Sequence, residues 1–127
     1  MNYFIKHNHS PHRQTLLAEA KGLRLLGQWI NHAQVPIKVP EVITVKQQQL
    51  TLTRIDATQP KPQLERQLGI AMAKLHAQPN LYCGLEYDNF IGMNPQKNLI
   101  SENWGEFFWQ YRLKFQVELI QNLEISR

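Results

Sequence analysis

Lys6 is a side chain of the type that can grip a phosphate, and Glu19 of the type that can hold such a lysine in place. An ammonium neutralises phosphate oxygens as a compact point charge, and a carboxylate on a neighbouring element can hold that ammonium in place. On spacing alone, two solvated surface charges are the favoured reading of the pair. His7, His9 and His12 are close enough in sequence to converge on a metal ion. Their spacing alternates faces, however, and no carboxylate lies nearby to orient the rings, so a polar loop is the simpler reading. Asp88, Asn89, Gln96 and Asn98 crowd one turn-rich stretch. They could face a substrate, but such side chains more often close turns on their own backbone. Trp104, Phe108, Tyr111, Phe115, Leu119 and Leu123 recur at spacings of three and four, a stripe of the kind that usually forms core.

The elements that must position these groups can be read from periodicity. Tyr3 to Lys6 predicts a strand, and a polar stretch from His7 to Arg13 with Pro11 predicts a loop. Leu16, Leu17, Ala20, Leu23, Leu26 and Ile30 predict an amphipathic helix from Gln14 to about His32. Val35-Pro36 and Val39-Pro40 impose extended backbone, leading to a strand over Glu41 to Val45, a turn at Lys46 to Gln48 and a second, antiparallel strand from Leu50. A linker over residues 57–62 precedes a helix carrying Leu64, Leu68, Ala71, Met72 and Leu75 and ending near His76, a residue expected to cap or pack. Residues 79–95 predict a long irregular segment, and a last helix begins near Ser101.

Composition narrows the classes. The 127 residues are 43% hydrophobic and 19% charged, which fits a folded globular chain with one modest core. The formal charge is +4, but the basic residues are dispersed rather than clustered, which argues against a nucleic-acid partner. Cys83 is the only cysteine, so no intrachain disulfide forms. No stretch reaches the length of a membrane span and no signal peptide is evident, so the cytoplasm is the expected location.

The run Tyr87-Asp88-Asn89-Phe90-Ile91-Gly92-Met93-Asn94-Pro95-Gln96-Lys97-Asn98, followed by Trp104-Gly105-Glu106-Phe107-Phe108 and Tyr111-Arg112-Leu113, resembles a block of the fructosamine kinase family, sugar-amine kinases related to the aminoglycoside phosphotransferases. Phe4-Ile5-Lys6 and Ala18-Glu19-Ala20-Lys21-Gly22-Leu23 look like the family's lysine strand and glutamate helix, and Leu75-His76 like one of its helix endings. The resemblance implies an α+β fold, part of the protein-kinase-like architecture. Residues 1–56 would be a partial nucleotide-binding lobe and 57–127 the start of the helical lobe. It implies ATP and Mg as cofactors in the parent family, with Lys6 on the phosphates, Glu19 holding it, and the backbone of Thr53, Arg54, Ile55 and Asp56 facing an adenine edge. It implies a sugar hydroxyl of a ketosamine or glycated protein as acceptor.

The family's His-Gly-Asp-Leu-Trp loop and Asp-Pro-Ala motif do not occur in these residues, and the only aspartates are Asp56 and Asp88. The expectation is therefore a partial kinase, inactive alone, with no catalytic or metal-binding residue of its own and with self-association through the apolar surface of the last helix. Two alternatives stay open: a non-catalytic interaction or dimerisation module, and a piece of an aminoglycoside or choline kinase relative.

Overall fold

A computed structural model describes residues 2–56, 59 and 62–120. The linker anticipated over 57–62 falls largely outside them, as does Leu123. The chain forms two compact units, Met1–Pro79 and Asn80–Arg127.

In the first unit, β1 (Tyr3–His7), α1 (Thr15–Ala33), β2 (Val42–Val45), β3 (Gln49–Thr53) and α2 (Leu64–His76) follow one another. The strands form one antiparallel sheet in the order β1-β3-β2. Along β3 burial alternates: Leu50 and Leu52 are buried, while Gln49, Thr51 and Thr53 are half-buried. The strand period of two sends the leucines to one face, where α1 covers them with Leu16 and Ala20. Both hairpin hydrogen bonds between Lys46 and Gln49 close the β2–β3 turn, where the amide-rich run was expected to turn.

A second core forms where α1 ends. Gln34 adopts a left-handed conformation (φ 51°), its N–H reaches the Asn31 carbonyl and the Val35 N–H reaches that of Ile30. This is the Schellman arrangement, and it brings Val35 back onto Ile30, where Ala71 of α2 completes a buried trio. The apolar faces read from periodicity are only partly covered. Leu26 of α1 and Leu64, Leu68 and Met72 of α2 are exposed, because few side chains pack over them and Ala71 alone is buried on α2.

The second unit departs more from expectation. The stretch anticipated as irregular contains a hairpin, β4 (Asn89–Ile91) with β5 (Asn94–Gln96), turning at Gly92 with φ 59°. The helix that follows is three pieces: α3 (Trp104–Phe108), a π-helical turn (Trp109–Leu113) and α4 (Lys114–Leu119). Its cap is Asn103, whose side chain accepts from the Glu106 N–H at 3.1 Å, while Ser101 pairs with Cys83 in an isolated bridge. The aromatic stripe is not the core here. Phe107, one position off it, is buried at 3% exposure, whereas Trp104, Phe108 and Phe115 are exposed.

Gly84 sits at φ 90°, and a Cβ there would meet the Leu99 carbonyl oxygen at 1.9 Å. Gly84→Ala should therefore cost at least about 2 kcal/mol through backbone strain and the clash. Gly22→Ala, in the middle of α1 with no heavy atom near its new methyl, should stabilise by about 0.5–1 kcal/mol. Urea unfolding of the two variants should move in opposite directions; equal shifts would contradict this reading.

Candidate functional site

α1 lies across the β3 face that carries Leu50, and Lys6 is the cross-strand partner of Leu50. Lys6 is therefore delivered to the face that α1 occupies. Glu19 adjoins the buried Ala20, so the docking of the helix also sets the carboxylate. The result is a bidentate contact, Lys6 Nζ to Glu19 Oε2 at 2.7 Å and to Oε1 at 3.0 Å. Both side chains remain open to solvent, at 45% and 31% exposure. A pair this exposed contributes only about 0–1 kcal/mol to folding. Its geometric effect is larger: it holds an ammonium in one place while leaving it accessible.

The end of β3 is pinned to the connector before β2. The Thr53 N–H donates to the Glu41 carbonyl at 2.9 Å, and the Glu41 N–H donates to Thr53 Oγ1 at 2.8 Å. The Arg54 N–H donates to the Asn2 carbonyl at 3.1 Å, and Arg54 Nε pairs with Asp56 Oδ1 at 3.0 Å. Of the four backbone positions expected to face a ligand, two amides are thus engaged. Those of Ile55 and Asp56 have no partner among the described residues. Thr53, Arg54 and Ile55 border a groove of about 800 Å³ whose other walls include Arg24 and Gln28 of α1 and Val39 of the connector. Lys6, Glu19 and Asp56 do not line it. The register puts Tyr3 opposite Thr53 and Lys6 three residues farther along, so the Lys6 backbone stands roughly 10 Å along the sheet from this edge.

His7 ends β1, paired with Gln49, while His9 and His12 lie in the following loop, which Asn8 organises. The Asn8 side chain donates to the His12 and Gln47 carbonyls, both at 3.0 Å, and accepts from the Ser10 N–H at 2.9 Å. Among the described residues no three His, Cys, Asp or Glu side chains come together. His76 ends exposed in the last turn of α2, where a cation suits the helix dipole.

In the second unit the signature block closes on itself. Asp88 accepts from the Asn98 N–H at 2.9 Å and from Lys97 Nζ at 2.8 Å. Asn98 Nδ2 donates to the Tyr87 carbonyl at 3.0 Å and to Asn89 Oδ1 at 2.9 Å. Arg112 donates to the Lys97 carbonyl at 2.9 Å and to Asn98 Oδ1, and its guanidinium lies 4.7 Å over the Phe107 ring. These amides and charges therefore fasten the β4–β5 hairpin to the helix. Sequence reasoning missed Arg112 as the clamp; no propensity signals the π-helical turn that carries it. The Lys97 ammonium, then the Asn98 amide, hold the Asp88 carboxyl below its ordinary value, and Asp88 in turn raises Lys97. Burial lowers Arg112 without discharging it at neutral pH.

The fructosamine kinase family model matches residues 1–127. The chain belongs to the fructosamine kinase family. It is 30% identical over 127 residues to a Vibrio cholerae protein assigned as a ketoamine kinase, covering 98% of this chain and 43% of that protein. A 55-residue stretch is 42% identical to a chloroplastic protein-ribulosamine 3-kinase of Oryza sativa subsp. indica, covering 42% of this chain and 16% of that one. The crystal structure of a Haemophilus somnus protein assigned as a fructosamine-3-kinase superposes with a TM-score of 0.73 at 27% identity, over 91% of this chain and 39% of that chain. The fold is thus part of the kinase-like architecture of this family, and the chain spans about two-fifths of the length of the relatives it matches over most of its own residues.

Because Asp88 is held below its ordinary carboxyl value, its contribution to the second unit is present above pH 3.8 and is lost as pH falls through the lowered value. Amide exchange at Asn98 should accelerate over that acid range in the parent chain, and Asp88→Asn should flatten the dependence. Arg112→Lys should cost about 1–3 kcal/mol at neutral pH, since a point ammonium cannot keep both hydrogen bonds and the ring contact. Wild-type stability in that variant would show that the clamp is dispensable.

Proposed function

We propose that this chain supplies the phosphate-gripping part of an ATP-dependent kinase that phosphorylates a sugar hydroxyl of ketosamines or glycated proteins. The lobe division at residues 56 and 57 belongs to the same proposal. The observation that carries it is the bidentate Lys6–Glu19 pair in a chain of the fructosamine kinase family. Lys6 would hold the phosphates, Glu19 would keep it aimed, and the amides of Ile55 and Asp56 would meet the adenine edge. The nucleotide supplies the transferable γ-phosphoryl group when bound.

The described residues bring no three acidic or imidazole groups together and do not fit Mg. Asp56 is paired with Arg54, and Asp88 is committed to Lys97 and Asn98, so neither is offered as a ligand or as a base beside an acceptor hydroxyl. The 127 residues should therefore bind nucleotide without turning it over. Titration with a fluorescent ATP analogue should show binding that Lys6→Met weakens by about tenfold or more, the loss of one strong charge-assisted contact. Ketosamine phosphorylation clearly above background by the purified chain would contradict this.

A second reading, association with another chain, is favoured by the exposed rings of Trp104, Phe108, Trp109 and Phe115 on the last helix. Sedimentation should show mass rising with concentration and falling back in Trp109→Ser; a monomer at all concentrations would exclude it.

A further inference from the structure

Among the described residues β1 has a neighbour on one side only, because the strand order is β1-β3-β2. An uncovered edge is a template for another strand unless proline, a bulge or charge blunts it. The opposite edge, β2, is blunted by a register shift between Val42 and Thr44. β1 is not: its five residues run in unbroken register with β3 and include no proline, and its one permanent charge, Lys6, is neutralised by Glu19. The ladder fixes where its backbone groups point. The Arg54 N–H donates to the Asn2 carbonyl and the Asn8 N–H to the Gln48 carbonyl, each at 3.1 Å, so Asn2 and Asn8 turn their backbone groups toward β3. Antiparallel pairs alternate, so Phe4 and Lys6 face β3 as well, whereas Ile5 and His7 present their N–H and carbonyl groups to the open edge. α1 packs mainly over β2 and β3, and both Phe4 and Ile5 are exposed, at 53% and 52%.

We propose that two copies of this chain join β1 to β1 about a two-fold axis at Ile5, making one continuous antiparallel sheet. The strand is complementary to itself in that register. Ile5 falls opposite Ile5 of the second copy as a hydrogen-bonded pair, the kind its edge-facing groups require, and His7 falls opposite Tyr3. Phe4 falls opposite Lys6 of the second copy in the closer, non-hydrogen-bonded kind of pair, where an aromatic face suits the cation and its alkyl stem. The two Phe4 rings are diagonal neighbours on that face, and the two Ile5 side chains meet on the other. Sliding two residues one way would set Lys6 against Lys6, and sliding the other way would leave His7 unpaired. A second copy is thus the occupant that the pattern of this edge selects. The dimer is independent of the kinase reading, although it would place Phe4 of each copy beside Lys6 of the other.

The test combines sedimentation with residue-resolved hydrogen exchange on the 127-residue chain. Mass should rise with concentration toward that of a dimer, and exchange at the Ile5 and His7 amides should slow over the same range. Ile5→Lys opposes like charges on the axis while leaving the β1–β3 ladder and the α1 face untouched, and should weaken the dimer by about tenfold or more. Ile5→Pro removes only the edge-facing N–H and should do the same. In both variants the Lys6 amide, which faces β3, should stay protected, showing that the strand is still folded. If a variant loses that protection, the concentration dependence of Ile5 exchange in the parent chain decides. The proposal is overturned by a parent that is monomeric at every concentration, by Ile5 exchange that ignores concentration, or by an Ile5→Lys chain that dimerises as the parent does. Association abolished by Trp109→Ser but untouched by Ile5→Lys would likewise overturn it and put the contact on the last helix.

Discussion

The docking of α1 on one face of a three-stranded sheet is the constraint on which the first unit depends. Leu16 and Ala20 must bury Leu50 and Leu52, because these four side chains form one of its two small cores. Once they do, Glu19 has one place to be, and Lys6, registered opposite Leu50, has a partner within 2.7 Å. The apolar contacts provide the free energy and the ion pair provides direction. That division suits a functional lysine: an exposed pair is too weak to be needed for folding, yet its geometry is inherited from a core that is.

The second unit solves a different problem with little apolar burial. Its hairpin strands have three residues each, too few to be stable by themselves. Asp88 and Asn98 fasten the base of the hairpin, and Arg112 ties that base to the helix while lying over Phe107. The π-helical turn at Trp109–Leu113 changes the phase of the helix at the segment that bears Arg112 and Tyr111. The dense ordering of the signature block follows from this closure.

The long elements were legible because their periods are long enough to read: three strands with alternating or branched residues, two helices with apolar spacings of three and four, and prolines marking the connectors. Burial was less legible. Leu26, Leu64 and Leu68 occupy the right phase but lie exposed, since phase says which face a residue is on and not whether anything covers it. The β4–β5 hairpin escaped notice because three-residue strands, one containing Pro95, leave no readable alternation; proline is tolerated there because a two-stranded ribbon has free edges. At the candidate site, Lys6 and Glu19 could be named from the family resemblance, but their 2.7 Å contact depends on sheet register and helix docking. Which amides at the end of β3 are engaged depends on Glu41 and Asn2, residues distant in sequence. The substrate-facing role weighed for Asp88 and Asn98 gives way to their mutual bonding, the commoner use of such side chains in turns.

The account turns on whether Lys6 meets nucleotide phosphates while Glu19 aims it, and NMR of the lysine side-chain Cε–Hε groups reads that directly. Adding ATP should shift the Lys6 signal, adenosine should leave it in place, and Glu19→Gln should reduce the ATP-induced shift. A Lys6 signal that stays unmoved while ATP shifts other residues of the first unit would contradict the account.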